Sequence, residues 1–227
     1  MNVFDIIGPV MIGPSSSHTA GAVRLGRVAN KVMDGKKPAY VEITLSGSFA
    51  RTYRGHGTDR ALLAEIMGYH SYSEEIRDAL DIAKRDGLTY KFIEQDIPDA
   101  HPNTARIHFK TDDGSEGTVE GASIGGGNIR VDYVNGMYVD FTGENNTILV
   151  LHWDKPGVIA DVTSLMRLKY PSANISNFHL SRKERGGEAL MTIELDTGRG
   201  QTANESDMAN DIRGLSNVIN AIVIRAI

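Results

Sequence analysis

The amino-acid sequence predicts an α+β protein with two folding units in one chain of 227 residues. Three observations support this class. Apolar residues recur at helical spacing early in the chain, they alternate with polar residues in short runs after Gly87, and glycine-containing turn sequences separate those runs. The front unit is therefore predicted to pack its N-terminal helices on a mostly antiparallel sheet.

The front unit begins with a loop rich in glycine, proline and serine, and a helix is predicted at 20–33. Ser15, Ser16 and Ser17 are natural N-cap residues, because their side-chain oxygens can accept hydrogen bonds from the first amide groups of that helix. The next predicted elements are one half-buried strand and two further helices, at 41–45, 58–67 and 73–85.

A series of strands follows, separated by turn sequences. Asp112-Asp113-Gly114 and Asn135-Gly136 are strong hairpin signals. The glycine run at 123–128 lacks the Lys-Ser/Thr of a phosphate-binding loop. We interpret it as a bend between strands, or as a place where a ligand or a partner's backbone comes close. The predicted strands lie at 90–94, 105–110, 116–123, 128–133 and 138–142.

Glu144-Asn145-Asn146 marks a boundary, which predicts one domain at 1–143 and a second at 147–227. The second domain has the order β–α–β–β–α–β, which is the ferredoxin-like split unit. Its predicted strands and helices lie at 147–153, 158–169, 174–182, 189–195, 204–214 and 218–225.

Composition excludes several classes of function. The net charge of −5 and the lack of a Lys/Arg cluster argue against a nucleic-acid partner, because phosphate binding needs concentrated positive charge. No apolar run approaches the roughly 20 residues that span a bilayer, so no membrane partner is expected. The N-terminus lacks the basic start of a secretion signal, and we expect a cytoplasmic protein.

The absence of cysteine limits the chemistry further. With a cysteine count of 0, the chain has no disulfide, no thiol nucleophile and no iron–sulfur cluster of its own, because such clusters rest on thiolates. A zinc site made by His18, His56 and His101 is geometrically conceivable. No short-spaced pair of ligands supports it.

Three motifs in the front unit each place a histidine among small or turn-forming residues: 15–19, 55–59 and 101–104. Histidine titrates near neutral pH and is the commonest general base. The first motif also offers hydroxyl groups and free helix amides to an anion. A single loop histidine most often has a structural role, but three such motifs favour a functional one. Ser17 beside His18 is not a nucleophile–base pair, because the base must face the hydroxyl across space.

In the second unit, the stretch 151–160 joins a strand end to a helix start through Pro156-Gly157. The free amides of a helix start suit an anion such as an amino-acid carboxylate. Asn174 begins the next strand, and we expect it beside that turn. The simpler alternative is that His152 and Asp154 are ordinary polar residues at a strand end and that the unit only dimerises.

The stretch 4–21, the three histidine motifs and the glycines at 125–127 closely resemble the beta subunit of the iron–sulfur L-serine dehydratases. Together with the second unit, the resemblance spans essentially the whole chain. It implies a partner alpha subunit whose cysteines hold a [4Fe–4S] cluster, and conversion of L-serine to pyruvate and ammonia.

The resemblance also implies a divided active site. An open iron in the partner's cluster would act as Lewis acid on the serine hydroxyl, and a histidine would act as base at Cα. His18 or His56 would be that base, and His101 would contact the substrate or the edge of the cluster. The substrate carboxylate would be received by Ser15, Ser16, Ser17 and Thr19.

The second unit resembles an ACT domain, a regulatory fold that pairs edge to edge and binds small amino acids at the pair interface. His152, Asp154, Gly157 and Asn174 fall on the positions that ACT domains of the phosphoglycerate-dehydrogenase kind use for serine. That family has an amide where this chain has Asp154. A carboxylate there is expected to repel the ligand carboxylate, or to favour a cation or the ligand ammonium.

Two other classes of function remain open. The front domain also resembles the allosteric substrate-binding domain of certain phosphoglycerate dehydrogenases, which suggests a serine-sensing regulatory module without catalysis. A weaker interpretation is a histidine-dependent metal hydrolase that acts alone. Serine turnover only with a cysteine-containing partner favours the dehydratase, serine binding without turnover favours the module, and hydrolysis by the lone chain with zinc favours the hydrolase.

Overall fold

The computed structural model describes residues 17–70, 73–196 and 204–226, and for residues 17–19 it describes the backbone alone. The chain divides into two compact units, Met1–Asn135 and Gly136–Ile227. The division falls within the predicted Asn135-Gly136 turn. Both residues have a positive φ, +52° and +74°, as a tight hairpin turn with matching strand twist requires.

Six strands form the first sheet: β1 (Pro38–Leu45), β2 (Thr89–Glu94), β3 (Thr104–Thr111), β4 (Glu116–Gly125), β5 (Asn128–Val134) and β6 (Met137–Phe141). Their order across the sheet is β2-β1-β3-β4-β5-β6. The β1–β2 pair is parallel, because the chain returns to the same end of the sheet between them, and the three pairs from β1 to β5 are antiparallel. The predicted α+β class is confirmed.

The helices of the first unit are α1 (Ser17–Val32), α2 (Gly47–Thr52), α3 (Thr58–Ile66) and α4 (Ala79–Arg85). Helices α1 and α3 pack together so closely that a Cβ on Gly26 would lie 2.8 Å from the carbonyl oxygen of Leu62. Arg27 and the buried Glu65 join the same two helices through a bidentate ion pair with N–O distances of 2.8 and 3.0 Å. This geometry holds α1 in a defined position.

Two features of the first unit differ from the predictions. The short helix α2 was not predicted, because its six residues are too few to show helical periodicity. The helix predicted at 73–85 is divided into a 3₁₀ helix, Glu74–Asp78, and α4. The acidic residues at the start of this region contribute no apolar face that would favour one continuous α-helix.

After β6, the second unit contains β7 (Asn146–Trp153), α5 (Val158–Lys169), β8 (Ile175–Arg182), β9 (Glu188–Leu195), α6 (Glu205–Arg213) and β10 (Val218–Ile224). The four strands lie in the order β10-β7-β9-β8, and all neighbours are antiparallel. Strands β8 and β10 are therefore the two edges. The observed bounds of α5 are those that the sequence predicted.

The core of the second unit lies between its sheet and its helices. Val158, Val162 and Met166 of α5 pack with Met208 and Ile212 of α6 and with alternate residues of β7 and β9. The hydroxyl of Tyr170 donates a hydrogen bond of 2.8 Å to Asp211, which links the end of α5 to α6. This frame holds the β7–α5 loop at one end of the sheet.

Candidate functional site

Helix α1 begins at Ser17, so the first histidine motif lies at a helix N-terminus. Ser15 and Ser16 lie outside the described residues, and so do the side chains of Ser17, His18 and Thr19. What the structure describes is the backbone that carries these three side chains. The first amides of an α-helix have no partner within the helix, so the start of this 16-residue helix suits an anion.

The first turns of α1 pack directly on the end of β4. A Cβ on Gly21 would lie 2.2 Å from the Oγ of Ser123, and a Cβ on Gly127 would lie 3.3 Å from the Cβ of Ala20. Contacts below 3.0 Å do not occur for real Cβ atoms, so Gly21 is required for this approach. The glycine run after Ser123 therefore lies beside the start of α1.

The third histidine motif lies on the other side of Ser123. The backbone N–H of Ser123 donates a hydrogen bond of 3.1 Å to the carbonyl oxygen of Asn103. The structure thus brings the α1 start and the 101–104 loop together around the end of β4. Sequence spacing alone gives no sign of this, because Ser123 is distant from both motifs along the chain.

A hydrogen bond determines the tautomer of neutral His101. The backbone N–H of Asn103 donates to Nδ1 of His101 over 3.1 Å. A backbone amide can only donate, so Nδ1 carries a lone pair and the proton lies on Nε2. His101 therefore presents an N–H donor rather than a free basic nitrogen through Nε2.

The α2 start also meets this loop. The N–H of Ser48 donates to the carbonyl oxygen of Pro102 over 2.7 Å, and the N–H of Ser46 donates to that of Thr104 over 3.0 Å. A Cβ on Gly47, whose φ is +53°, would lie 2.6 Å from the Pro102 carbonyl oxygen. Sequence patterns give no sign that this glycine is part of the site, because Ser46-Gly47-Ser48 indicates only the end of a strand.

His56 lies in the loop between α2 and α3. Its N–H donates to the carbonyl oxygen of Thr52 over 3.1 Å, and Gly57, with φ +68°, is the N-cap of α3. The residue is half-buried, and the Nδ1 atom of its imidazole is buried. Helix α2 is about 9 Å long. Its N-terminal end approaches Pro102, and His56 follows its C-terminal end.

Asp59 is a buried carboxylate in the first turn of α3. Burial raises its pKa above the usual range, although one of its oxygens accepts a hydrogen bond of 2.9 Å from the N–H of Arg60. The sequence indicates Asp59 only as the last residue of the second histidine motif, because burial is not visible in a loop pattern.

In the second unit, His152 is buried near the end of β7, with 2% of its surface exposed. Its Nδ1 lies 2.7 Å from the carbonyl oxygen of Trp153. A carbonyl can only accept, so Nδ1 carries the proton. Nε2 is buried without a hydrogen-bond partner in the described part of the chain, which leaves one polar atom for a ligand.

Asp154 has partners within the chain. Its Oδ2 accepts hydrogen bonds of 2.9 Å from the Gly186 N–H and 2.7 Å from Arg182. These two bonds hold the pKa of Asp154 below its usual range. The positive charge of Arg182 offsets the carboxylate, so the expected repulsion of a ligand carboxylate, or attraction of a cation, is reduced.

The expected position of Asn174 beside the Gly157 turn is wrong for a single chain. Strand register places Ile175 opposite Leu195 and Arg182 opposite Ala189, while Trp153 lies opposite Glu188. Asn174 is therefore at the other end of the sheet, about 23 Å away at the rise of a strand. Its amide donates to Asp196 instead.

Gly157 has φ +94° and is the N-cap of the 12-residue α5, so the predicted turn leads directly into this helix. Among residues 17–70, 73–196 and 204–226, no group of three His, Cys, Asp or Glu side chains is placed to hold a metal ion. No helix in these same ranges is long and apolar enough to cross a membrane.

Comparison with known proteins identifies clear relatives. Residues 2–133 match the model of the family described as serine dehydratase beta chain. A probable L-serine dehydratase beta chain of Bacillus subtilis is 45% identical over 86% of this chain and 87% of its own. The L-serine dehydratase beta chain of Peptoniphilus asaccharolyticus is 39% identical over the same shares. A D-3-phosphoglycerate dehydrogenase of B. subtilis is 29% identical over 77% of this chain and 33% of its own.

Proposed function

Because the chain belongs to the serine dehydratase beta chain family, we propose that it forms a two-subunit L-serine dehydratase with an alpha subunit. The complex converts L-serine to pyruvate and ammonia, and it acts as a carbon–oxygen lyase. Two beta chains that are 45% and 39% identical over most of their length support this assignment. The lone chain is proposed to have no dehydratase activity.

The residues of this chain do not fit a cluster of its own. It has 0 cysteines. Iron–sulfur clusters rest on cysteine thiolates. We therefore assign the [4Fe–4S] cluster of the proposed enzyme to the alpha subunit.

The convergence of the α1 start and the 101–104 loop on Ser123 is the geometric observation that carries the proposed site. The start of α1 binds the substrate carboxylate, with its free amides and the hydroxyls of the first motif. His18 or His56 removes the proton from Cα. The tautomer of His101 makes it a donor to the substrate. The proposed carboxylate-binding residues are Ser15, Ser16, Ser17 and Thr19.

The test is anaerobic co-purification with the alpha subunit, followed by measurement of pyruvate from L-serine. The complex should form pyruvate and contain iron and sulfide, and the lone chain should do neither after the same reconstitution. Pyruvate formation by the lone chain would contradict the divided site. A complex that binds serine without turnover would favour the regulatory module instead.

We also propose that the second unit is an ACT domain that pairs with a second copy of itself. Its β–α–β–β–α–β order and the strand order β10-β7-β9-β8 support this proposal. Edge strand β8 carries Leu180, which is 38% exposed. Exposed edge strands with apolar side chains tend to pair with another chain.

Pairing of two β8 strands around a two-fold axis would be antiparallel. The start of one β8 would then lie beside the end of the other. This arrangement would carry Asn174 of a second copy towards Asp154 and His152 of the first, where the single chain lacks it. The proposed allosteric ligand, a small amino acid such as serine, binds there between the N-terminus of α5, which begins after Gly157, and the unpartnered Nε2 of His152.

A further inference from the structure

Two neighbouring residues of the third histidine motif carry buried oxygens without partners. Oδ1 of Asn103 and Oγ1 of Thr104 have no hydrogen-bond partner among the described residues. A buried polar atom without a partner costs free energy, on the order of 1–3 kcal/mol. Such atoms occur mainly where a ligand or water completes the hydrogen bond.

The backbone of Asn103 is held on both sides. Its N–H donates to Nδ1 of His101 over 3.1 Å, and its carbonyl oxygen accepts from the N–H of Ser123 over 3.1 Å. Because these two hydrogen bonds restrict the Asn103 backbone, its side chain is attached at a fixed position. The first turns of α1 pack on that same Ser123. The unpartnered oxygen therefore belongs to the loop that meets the α1 start.

An amide oxygen only accepts hydrogen bonds, and this selects the part of serine that it can hold. The carboxylate has no donor at neutral pH. The hydroxyl oxygen gains negative charge as its bond to carbon breaks, so it requires donors or positive charge nearby. The ammonium group carries three donors and no acceptor.

We propose that Oδ1 of Asn103 accepts a hydrogen bond from the ammonium group of L-serine, while the α1 start holds the carboxylate. This assignment rests on the proposed dehydratase function. Asn103 is thereby a substrate-binding residue that positions Cα between two anchored groups, and its backbone N–H keeps His101 as a donor beside it.

The test is Asn103→Leu in the complex with the alpha subunit. Leucine has a similar volume and no polar atom. The substitution should remove the free-energy cost of burying an unpartnered oxygen, so the melting temperature of the complex should stay equal or rise. The KM for L-serine should rise about tenfold or more, because a hydrogen bond to a charged group is lost. A structural role for Asn103 predicts a lower melting temperature and an unchanged KM.

Asn103→Asp is the conservative substitution at this position. It keeps an acceptor oxygen at the same position, so its KM should remain at or below that of the native complex. A tenfold rise in KM for this variant would overturn the proposal, even if Asn103→Leu failed to fold.

Thr192→Val is the matched control, because Oγ1 of Thr192 is also buried without a described partner but lies on β9 of the second unit. It should leave the KM unchanged.

Competitive inhibitors test the ammonium group directly. L-Alanine keeps the ammonium and carboxylate of serine, and propionate keeps the carboxylate alone. Asn103→Leu should weaken L-alanine about tenfold or more and leave propionate within about twofold. Equal weakening of both inhibitors would overturn the assignment to the ammonium group.

Calorimetric titration separates this proposal from the proposed function. Native and Asn103→Leu complexes are titrated with L-serine, so any second serine site contributes equally to both. If the native complex binds serine without turnover, the dehydratase function fails. The difference in serine affinity between the native and Asn103→Leu complexes then still tests the role of Asn103. Equal serine affinity in both complexes would overturn that role, and loss of affinity in the variant would support it.

Discussion

Hydrogen bonding distinguishes the three candidate histidines at the scale of single residues. His101 uses Nδ1 as an acceptor for the Asn103 N–H, so its neutral form offers a donor. His56 lies in a partly exposed loop, next to the glycine that begins α3. The backbone of His18 lies in the first turn of α1. His18 and His56 therefore remain the candidates for the base at Cα.

We predict that His18→Ala and His56→Ala each abolish turnover in the complex while its assembly is preserved. Both motifs are rich in glycine or serine rather than in apolar residues, so melting temperatures should change little. Loss of the base should lower the rate about a hundredfold or more, and loss of an orienting group should act mainly on KM. Anaerobic kinetics beside thermal melts measure both effects.

His70→Ala is the control for this pair, because His70 lies outside the three motifs. It should retain near-normal turnover. Near-normal turnover in both His18→Ala and His56→Ala would remove these histidines from the mechanism. A large fall in melting temperature would indicate a structural role.

Asp59 gives a prediction about pH. Burial raises its pKa in the folded state, so folding favours the protonated carboxyl. The unfolded-state pKa of this carboxyl is about 3.9. As pH rises from that value through the raised folded-state pKa, the free energy of unfolding falls, and above the folded-state pKa it no longer changes. Asp59→Asn should therefore melt above the native chain at neutral pH, and the difference should shrink as pH falls towards about 4.

Thermal melts of both proteins across this pH range measure the Asp59 effect. Asp112→Asn, at an exposed turn position, is the control and should show no such pH-dependent gain. A difference for Asp59→Asn that is constant with pH would show that burial of the charge is not its cause.

At the scale of secondary-structure elements, the close approach of α2 to the start of β3 controls the position of the 101–104 loop. Gly47 lies against the Pro102 carbonyl, and the Ser48 N–H binds the same oxygen. A side chain at Gly47 forces these two elements apart. The loop that carries His101 and Asn103 would move with Pro102.

We predict that Gly47→Ala lowers both stability and serine affinity. Alanine at a positive φ costs about 1–2 kcal/mol by itself. Gly87→Ala is the matched control, because Gly87 has φ +78° and a Cβ added there would meet no atom within 4 Å. Gly87→Ala should show the backbone cost alone with a normal KM. Equal effects of both variants on stability and KM would contradict the close approach.

At the scale of the whole molecule, the edge strands predict self-association. In the second sheet β8 has a neighbour on one side only, and Leu180 is exposed there. Pairing covers unpaired backbone groups as well as this side chain. A homodimer through β8 is therefore expected for the full chain, with or without the alpha subunit.

Leu180→Lys should convert the full-length dimer to a monomer, because two lysines near a two-fold axis repel each other across the strand pair. Light scattering at several protein concentrations measures this change. Leu168→Lys is the control: Leu168 is 69% exposed on α5, and the dimer should persist. A monomeric native chain at high concentration would contradict the proposed pairing.

Local patterns predicted most elements but not their partners. The turn at Asn135-Gly136 and the bounds of α5 depend on residues adjacent in sequence, and both are as predicted. Helix α2 is too short for periodicity to indicate it. The parallel β1–β2 pair depends on contacts between distant segments, which local patterns do not contain.

The amino-acid sequence alone determines the prediction of two folding units, the three histidine motifs and the absence of cysteine. Composition is read directly from the sequence, and motifs and periodicity depend only on neighbouring residues. Which motifs meet became visible only in the folded chain. Folding places the α1 start and Asn103 on Ser123, pairs Asp154 with Arg182, and puts Asn174 at the far end of the sheet. Strand register and helix packing determine these distances, and both depend on residues far apart in the chain.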